Sequence, residues 1–155
     1  MNVLLALFSY GGVNEVTVAC LIRELFHAGD KASVTYTRIS GDALISRSRS
    51  KVASMFLDML GQDVLFMLDH DIEFQPGDVI ATCQKAVEAN AIVGGMYSKR
   101  AFGHGFGSRF AASEDGKAVP GEDRLVAAEF VAAGFCAFPR GVLIDVRDKL
   151  LGPPL

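Results

Sequence analysis

Apolar residues fall along this chain in short solid blocks separated by stretches of helical periodicity. Residues 3–8 and 64–68 are unbroken apolar runs of strand length, the pattern of strands buried on both faces. Residues 33–39 carry Val34, Thr35, Tyr36 and Thr37, the β-branched and aromatic types that suit a strand. A helix is predicted over 14–27, with Val18, Leu21, Ile22, Leu25 and Phe26 as its inward stripe and Gly29 as its left-handed terminator. A second helix runs from Asp42, the predicted N-cap, to Leu60, turning Leu44, Val52, Met55, Phe56 and Met59 inward. A third opens at Pro76-Gly77-Asp78 and faces the core with Val79, Ile80, Cys83, Ala86 and Val87. Residues 91–93 read as a fourth strand. The rhythm then breaks into a glycine-rich stretch at 102–110 and a polar one at 113–123. Strands follow at 125–133 and 135–138, then a last helix from Pro139-Arg140-Gly141 to Leu150. Three βα units and a mixed section predict an α/β three-layer sandwich around an open, mostly parallel, Rossmann-like sheet.

Composition narrows the function classes. A chain of 155 residues, half of them apolar, suits one domain over 1–155, able to bury roughly 68–70% of its unfolded surface. The net charge of −3 argues against sequence-independent nucleic-acid binding, which depends on neutralising phosphates. Cys20, Cys83 and Cys136 lie far apart in apolar segments and read as buried thiols of a reducing compartment rather than a disulfide set or a zinc site. The first apolar run is too short for a membrane span and has no basic start, so a cytoplasmic location is expected.

The chemistry concentrates where the third strand ends. Leu68 is followed by Asp69-His70-Asp71, and alternation along extended chain turns Asp69 and Asp71 to one side and His70 to the other. Alone, such a pair also fits a polar turn with solvated carboxylates. Two adjacent carboxylates repel unless a positive charge sits between them, and a hard divalent cation with oxygen ligands resolves this. In an open parallel sheet ligands bind beyond the carboxyl ends of the strands. Those ends carry Ser9-Tyr10-Gly11-Gly12, Gly41-Asp42, Asp69-His70-Asp71 and Gly94-Gly95, so all four are expected to face one crevice. Arg47, Arg49 and Lys51 gather near the N-terminus of the second helix, where the dipole favours anions, as if an anion were bound nearby. With Arg49 and Lys99 adding positive charge, these parts suit a diphosphate bridged by a metal. Glu73 and His104 are read as a solvated carboxylate and part of a flap, and no Ser-His-Asp or Cys-His arrangement is found.

Four segments in the same order resemble the nucleotide-sugar-dependent glycosyltransferases of the GT-A fold, in particular the small bacterial and phage-type members of the family-2-like group. Gly41-Asp42-Ala43-Leu44-Ile45-Ser46-Arg47-Ser48-Arg49-Ser50 looks like the family's G-D-S-L-I-x-R-A-R-N helix start. Leu65-Phe66-Met67-Leu68-Asp69-His70-Asp71-Ile72 looks like its L-L-F-I-D-x-D-I metal motif. Ile92-Val93-Gly94-Gly95-Met96-Tyr97-Ser98-Lys99 is similar to V-V-G-G-x-Y-P-K. Ala133-Gly134-Phe135-Cys136-Ala137-Phe138-Pro139-Arg140 is similar to the G-T-G-F-x-x-x-x-R strand beside the acceptor. Ser50 and Ser98 stand where the family often has Asn and Pro.

The resemblance implies a nucleotide-diphospho-sugar transferase sheet in which Asp69 and Asp71 hold manganese or magnesium. It places Ser9, Tyr10 and Asp42 near the nucleoside, Arg49 near the diphosphate or its supporting network, and Gly134 and Phe135 by the transferred sugar and acceptor. The implied partners are a nucleoside diphosphate sugar and an acceptor of unassigned class (glycan, protein or small molecule), with no nucleic acid and no membrane span; a homo-oligomer is compatible with it. In the family a catalytic carboxylate, and often a histidine ligand, follow the helix after the Gly134 strand. This chain ends there, which implies a fragment or a short form and leaves the catalytic base unassigned. The expected activity is metal-dependent glycosyl transfer. The alternatives are a non-catalytic nucleotide or sugar-binding module and a metal-dependent phosphohydrolase or nucleotidyltransferase.

Overall fold

In this computed structural model, residues 1–96, 109–110 and 125–152 are described. Strand β1 (Asn2–Ser9), β2 (Ser33–Ser40) and β3 (Val64–Asp69) alternate with helices α1 (Glu15–Ala28), α2 (Ile45–Asp58) and α3 (Asp78–Ala89). Then come β4 (Val93–Gly94), β5 (Arg109–Phe110), β6 (Ala128–Phe130), β7 (Phe135–Pro139) and α4 (Arg140–Leu151). The main sheet has the order β2-β1-β3-β7-β4; β1 pairs parallel with β2 and β3, and β7 runs antiparallel between β3 and β4. This is the predicted open, mostly parallel α/β sandwich.

The alternation of the two central strands sorts the core into two halves. Val3, Leu5 and Leu7 of β1, with Val64, Phe66 and Leu68 of β3, pack under Cys20 and Leu21 of α1 and Val79, Ile80 and Cys83 of α3. Leu4, Ala6 and Phe8, with Leu65 and Met67, pack under Val52 and Phe56 of α2 and Leu143 of α4. The first connection carries the chain to β2 on one side of β1, and the second carries it to β3 on the other. Crossovers of one hand made in opposite directions place their helices on opposite faces. Strand order reverses at β1 and β3, and such a switch point opens a crevice at the strands' carboxyl ends.

Helix α1 departs from its predicted stripe. Its buried residues are Thr17, Cys20, Leu21, Glu24 and Ala28, while Val18, Ile22, Leu25 and Phe26 (85% exposed) lie outside. The helix is rotated because Glu24, 1% exposed, accepts N–H bonds from Gly77 (2.5 Å) and Ile80 (3.0 Å), capping the start of α3. Gly77 itself is left-handed (φ 96°), and a Cβ there would lie 2.8 Å from His27 Nε2. Helix α2 begins at Ile45 rather than Asp42, with Leu44 at the N-cap and no side-chain cap bond. Leu44 and Met55 are exposed rather than inward, as is Val87 of α3. The predicted strand at 125–133 shrinks to β6, which pairs with β5 outside the main sheet. All three cysteines are buried free thiols. Burial pushes the Cys136 thiol up to about 12, and burial, with the Glu24 charge second, raises Cys83 further.

Arg140 closes the α2 side. Its guanidinium donates to the carbonyls of Phe56 (2.8 Å), Leu57 (3.2 Å), Met59 (2.5 Å) and Gln62 (2.7 Å), and lies 4.5 Å from the Phe56 ring centroid. A cation thus satisfies the orphan carbonyls at the negative end of a helix. Arg140→Ala is expected to lower stability by about 2 kcal/mol in urea unfolding. Arg147→Ala, which removes a half-exposed ion pair to the neighbouring Asp148, should cost less than about 0.5 kcal/mol. Equal effects would contradict this role.

Candidate functional site

The switch point brings the ends of β1 and β3 side by side, with Phe8 in register with Asp69 and Ser9 with Ser40. Above them opens a crevice of about 370 Å³ whose lining includes Ser9, Tyr10, Asp42, Asp69, His70 and Asp71. Five of the predicted site residues therefore share one space. Tyr10 stands at the rim, 70% exposed. His70 also lines the crevice: β3 ends at Asp69, and strand alternation no longer governs the turn that follows. Asp69 follows Leu65 and Met67 in alternation and so emerges on the α2 face of the sheet.

On that face Asp69 meets Arg49. Arg49 Nη2 lies 2.7 Å from Asp69 Oδ1, and the guanidinium carbon lies 5.7 Å from the Phe8 ring centroid. Arg47 grips Asp42 with Nε (2.9 Å) and Nη2 (2.6 Å), and Lys51 Nζ is 3.9 Å from the same carboxylate. The cations clustered at the start of α2 are thus held by the protein's own carboxylates. A bound anion is not needed to explain their placement. Asp42 also accepts the Leu44 N–H at 3.0 Å, a local turn that displaces the predicted cap. The Arg47 guanidinium first, and this backbone bond second, hold the Asp42 carboxyl well below the usual range. Two buried polar atoms beside the crevice, Ser48 Oγ and Arg49 Nε, have no hydrogen-bond partner of ordinary geometry among the described residues.

Helix α1 and β2 hold the crevice loops in place through residues that the sequence did not single out. The N–H of Asn14 donates to the His70 carbonyl (3.0 Å), and Thr17 Oγ1 donates to the Ile72 carbonyl (3.1 Å). With Glu24 capping α3, one helix clamps both ends of the segment that carries Asp71. Arg38 of β2 donates to Ser9 Oγ (3.1 Å) and the Gly11 carbonyl (2.7 Å), fixing the loop after β1. The available signal was Thr17, Cys20 and Glu24 at i, i+3 and i+7, a polar row that an apolar stripe search discards.

The remaining predicted residues divide. Gly134 accepts the Asp69 N–H at 2.8 Å, so the residue before β7 supports the end of β3 directly. Phe135, Gly95 and Glu73 line a neighbouring crevice of about 330 Å³ beyond the Asp71 loop, rather than the one at Asp69. A Cβ on Gly95 would stand 2.7 Å from the Phe135 ring, so this glycine serves packing. Cβ atoms on Gly11 or Gly12 would meet nothing. Lys99 and His104 lie outside the described residues. Among the described residues no three His, Cys, Asp or Glu side chains converge to hold a metal. Asp69 and Asp71 fit an ion of the kind that takes one or two carboxylates and completes its shell with phosphate oxygens and water. Also among the described residues, no helix is long and apolar enough to cross a membrane.

Glu24→Ala removes the acceptor for two α3 N–H groups and is expected to cost about 1–3 kcal/mol in urea unfolding, with faster amide exchange at Gly77 and Ile80. An unchanged midpoint and unchanged exchange would show that the carboxylate is not the cap.

No family model matches the chain, and no curated protein matches it. Among solved structures, A197 from STIV superposes with a TM-score of 0.63 at 23% identity, over 92% of this chain and 67% of that one. The 4-diphosphocytidyl-2C-methyl-D-erythritolsynthase from Anaerococcus prevotii DSM 20548 aligns over 98% of this chain and 78% of that one, with a TM-score of 0.49 at 10% identity. The second likeness is too loose to support an argument. The first shows a fold shared with A197 from STIV.

Proposed function

We propose that the chain is a metal-dependent glycosyltransferase domain that binds a nucleoside diphosphate sugar in the Asp69 crevice. The observation that carries the reading is the convergence of Ser9, Tyr10, Asp42, Asp69 and Asp71 on one crevice at the sheet's switch point. The four motifs of the GT-A resemblance supply the substrate class.

In this reading Tyr10, at the rim, offers a face for the base, and Asp42 is an acceptor for nucleoside hydroxyl or N–H groups. Asp69 and Asp71 hold manganese or magnesium, which when bound neutralises the charge that develops on the departing diphosphate. The bond between the anomeric carbon and the diphosphate oxygen breaks as an acceptor hydroxyl attacks that carbon, and the hydroxyl proton is released to solvent. Arg49 and Lys99 add positive charge on the diphosphate side, and Gly134 and Phe135 belong to the side of the sugar and acceptor.

A second reading, nucleotidyl transfer, uses the same crevice. A binding module would use the crevice without turnover.

Calorimetric titration with uridine and guanosine diphosphates in the presence of Mn²⁺ tests the reading. Asp69→Ala combined with Asp71→Ala is expected to weaken the affinity about 100-fold, or ~2.7 kcal/mol. Equal binding by the double variant would sink the proposed metal site. Incubation with nucleotide sugars or triphosphates separates the chemistries. Release of nucleoside diphosphate indicates glycosyl transfer or donor hydrolysis, pyrophosphate indicates nucleotidyl transfer, and binding without turnover indicates a module.

A further inference from the structure

We propose that Arg49 is the resident counter-cation of Asp69, leaving it for a phosphate oxygen when a metal-bound diphosphate arrives. The divalent ion then binds tightly only together with the diphosphate. This inference rests on the metal-diphosphate reading above.

The geometry places Arg49 in competition with a metal for one oxygen. Asp69 Oδ1 accepts from Arg49 Nη2 at 2.7 Å, and a cation at that oxygen would lie against the guanidinium and be repelled by it. Asp69 lines the crevice and Arg49 stands behind it, and their side chains, 30% and 23% exposed, are still partly open to water, where an ion pair contributes modest net stability. It can therefore be exchanged. Arg49 is also incompletely satisfied where it stands, since its buried Nε–H has no acceptor among the described residues. A guanidinium carries five donors in a planar fork that matches a phosphate at two points. The guanidinium carbon also lies 5.7 Å from the Phe8 ring centroid, within reach of a cation–π contact.

Backbone constraints keep the competition local. Asp69 donates its N–H to Gly134 at 2.8 Å, and its position in β3 is held by pairing with β1. Arg49 follows the buried Ser48 and precedes the buried Val52 on the inner side of α2. Neither backbone is placed to withdraw, so the exchange is a side-chain movement. Its consequence is thermodynamic coupling: diphosphate removes Arg49 from Asp69 and frees a metal ligand, and metal does the same for diphosphate.

The test measures free Mn²⁺ by electron paramagnetic resonance during titration of the full chain, with and without uridine diphosphate. Arg49→Gln is expected to tighten Mn²⁺ binding in the absence of nucleotide by about tenfold and to weaken uridine diphosphate binding in its presence by about tenfold. Arg49→Lys, which keeps the charge, should leave Mn²⁺ binding alone within about twofold of wild type. Should Arg49→Gln fail to fold by thermal melting, Arg49→Met keeps the stem over Phe8 and carries the same expectation. Unchanged or weaker binding of Mn²⁺ alone by the neutral variant overturns the inference. If the wild type binds Mn²⁺ and nucleotide together, only this inference falls. If no form of the chain binds the two together, the proposed function falls as well. Tightened Mn²⁺ binding in a protein that ignores nucleotide would uphold the counter-cation and reject the diphosphate.

Discussion

The structure depends on the burial of β1 and β3 on both faces. Every residue from Val3 to Ser9 and from Val64 to Leu68 is buried, so each side chain is committed to the α1/α3 layer or to the α2/α4 layer. A one-residue slip in the pairing of these strands would exchange the two sets, turning Leu65 and Met67 out of the space that α2 covers. It would also turn Asp69 away from Arg49 and open a different crevice. The position of the candidate chemistry is therefore a consequence of core packing, fixed before any ligand is considered.

Around that core, charged side chains complete what the helices leave unsatisfied. Glu24 takes the first N–H groups of α3, and Arg140 takes the last carbonyls of α2. Both reach between elements distant in sequence, and both leave hydrophobic consequences. Seating Glu24 inward exposes Val18, Ile22, Leu25 and Phe26, while seating Arg140 on Phe56 seals the far end of the α2 layer. The crevice follows the same rule, with Arg47 on Asp42 and Arg49 on Asp69. The difference is that the carboxylates of these pairs, Asp42 and Asp69, line an opening.

The sequence made the strands and their common crevice legible because solid apolar runs and the loops that end them carry that information locally. Val64 to Leu68 followed by Asp69 could be read as a buried strand ending in chemistry without knowing its neighbours. Helix α1 could not be read so simply. Its apolar stripe gave one orientation, and the acceptor demand of α3, more than fifty residues away, imposed another. Asp42 looked like a cap because its type and place suit one. Its carboxylate instead serves Leu44 and Arg47, and the helix starts three residues later. The pairing of Arg49 with Asp69 was likewise outside local reading, since it needs both the parity of β3 and the face of α2. The grouping of Gly95 and Phe135 on a second crevice depends on β7 entering antiparallel between β3 and β4.

The central claim is that Asp69 and Asp71 clamp a metal-bound diphosphate at the switch point. A crystal structure of the chain with Mn²⁺ and uridine diphosphate, with anomalous data at the manganese edge, addresses it directly. The account predicts a manganese peak bound by both carboxylates and by diphosphate oxygens, the base beside Tyr10, and Arg49 turned from Asp69 to a phosphate. Manganese that touches neither aspartate, or a nucleotide bound away from this crevice, would contradict it.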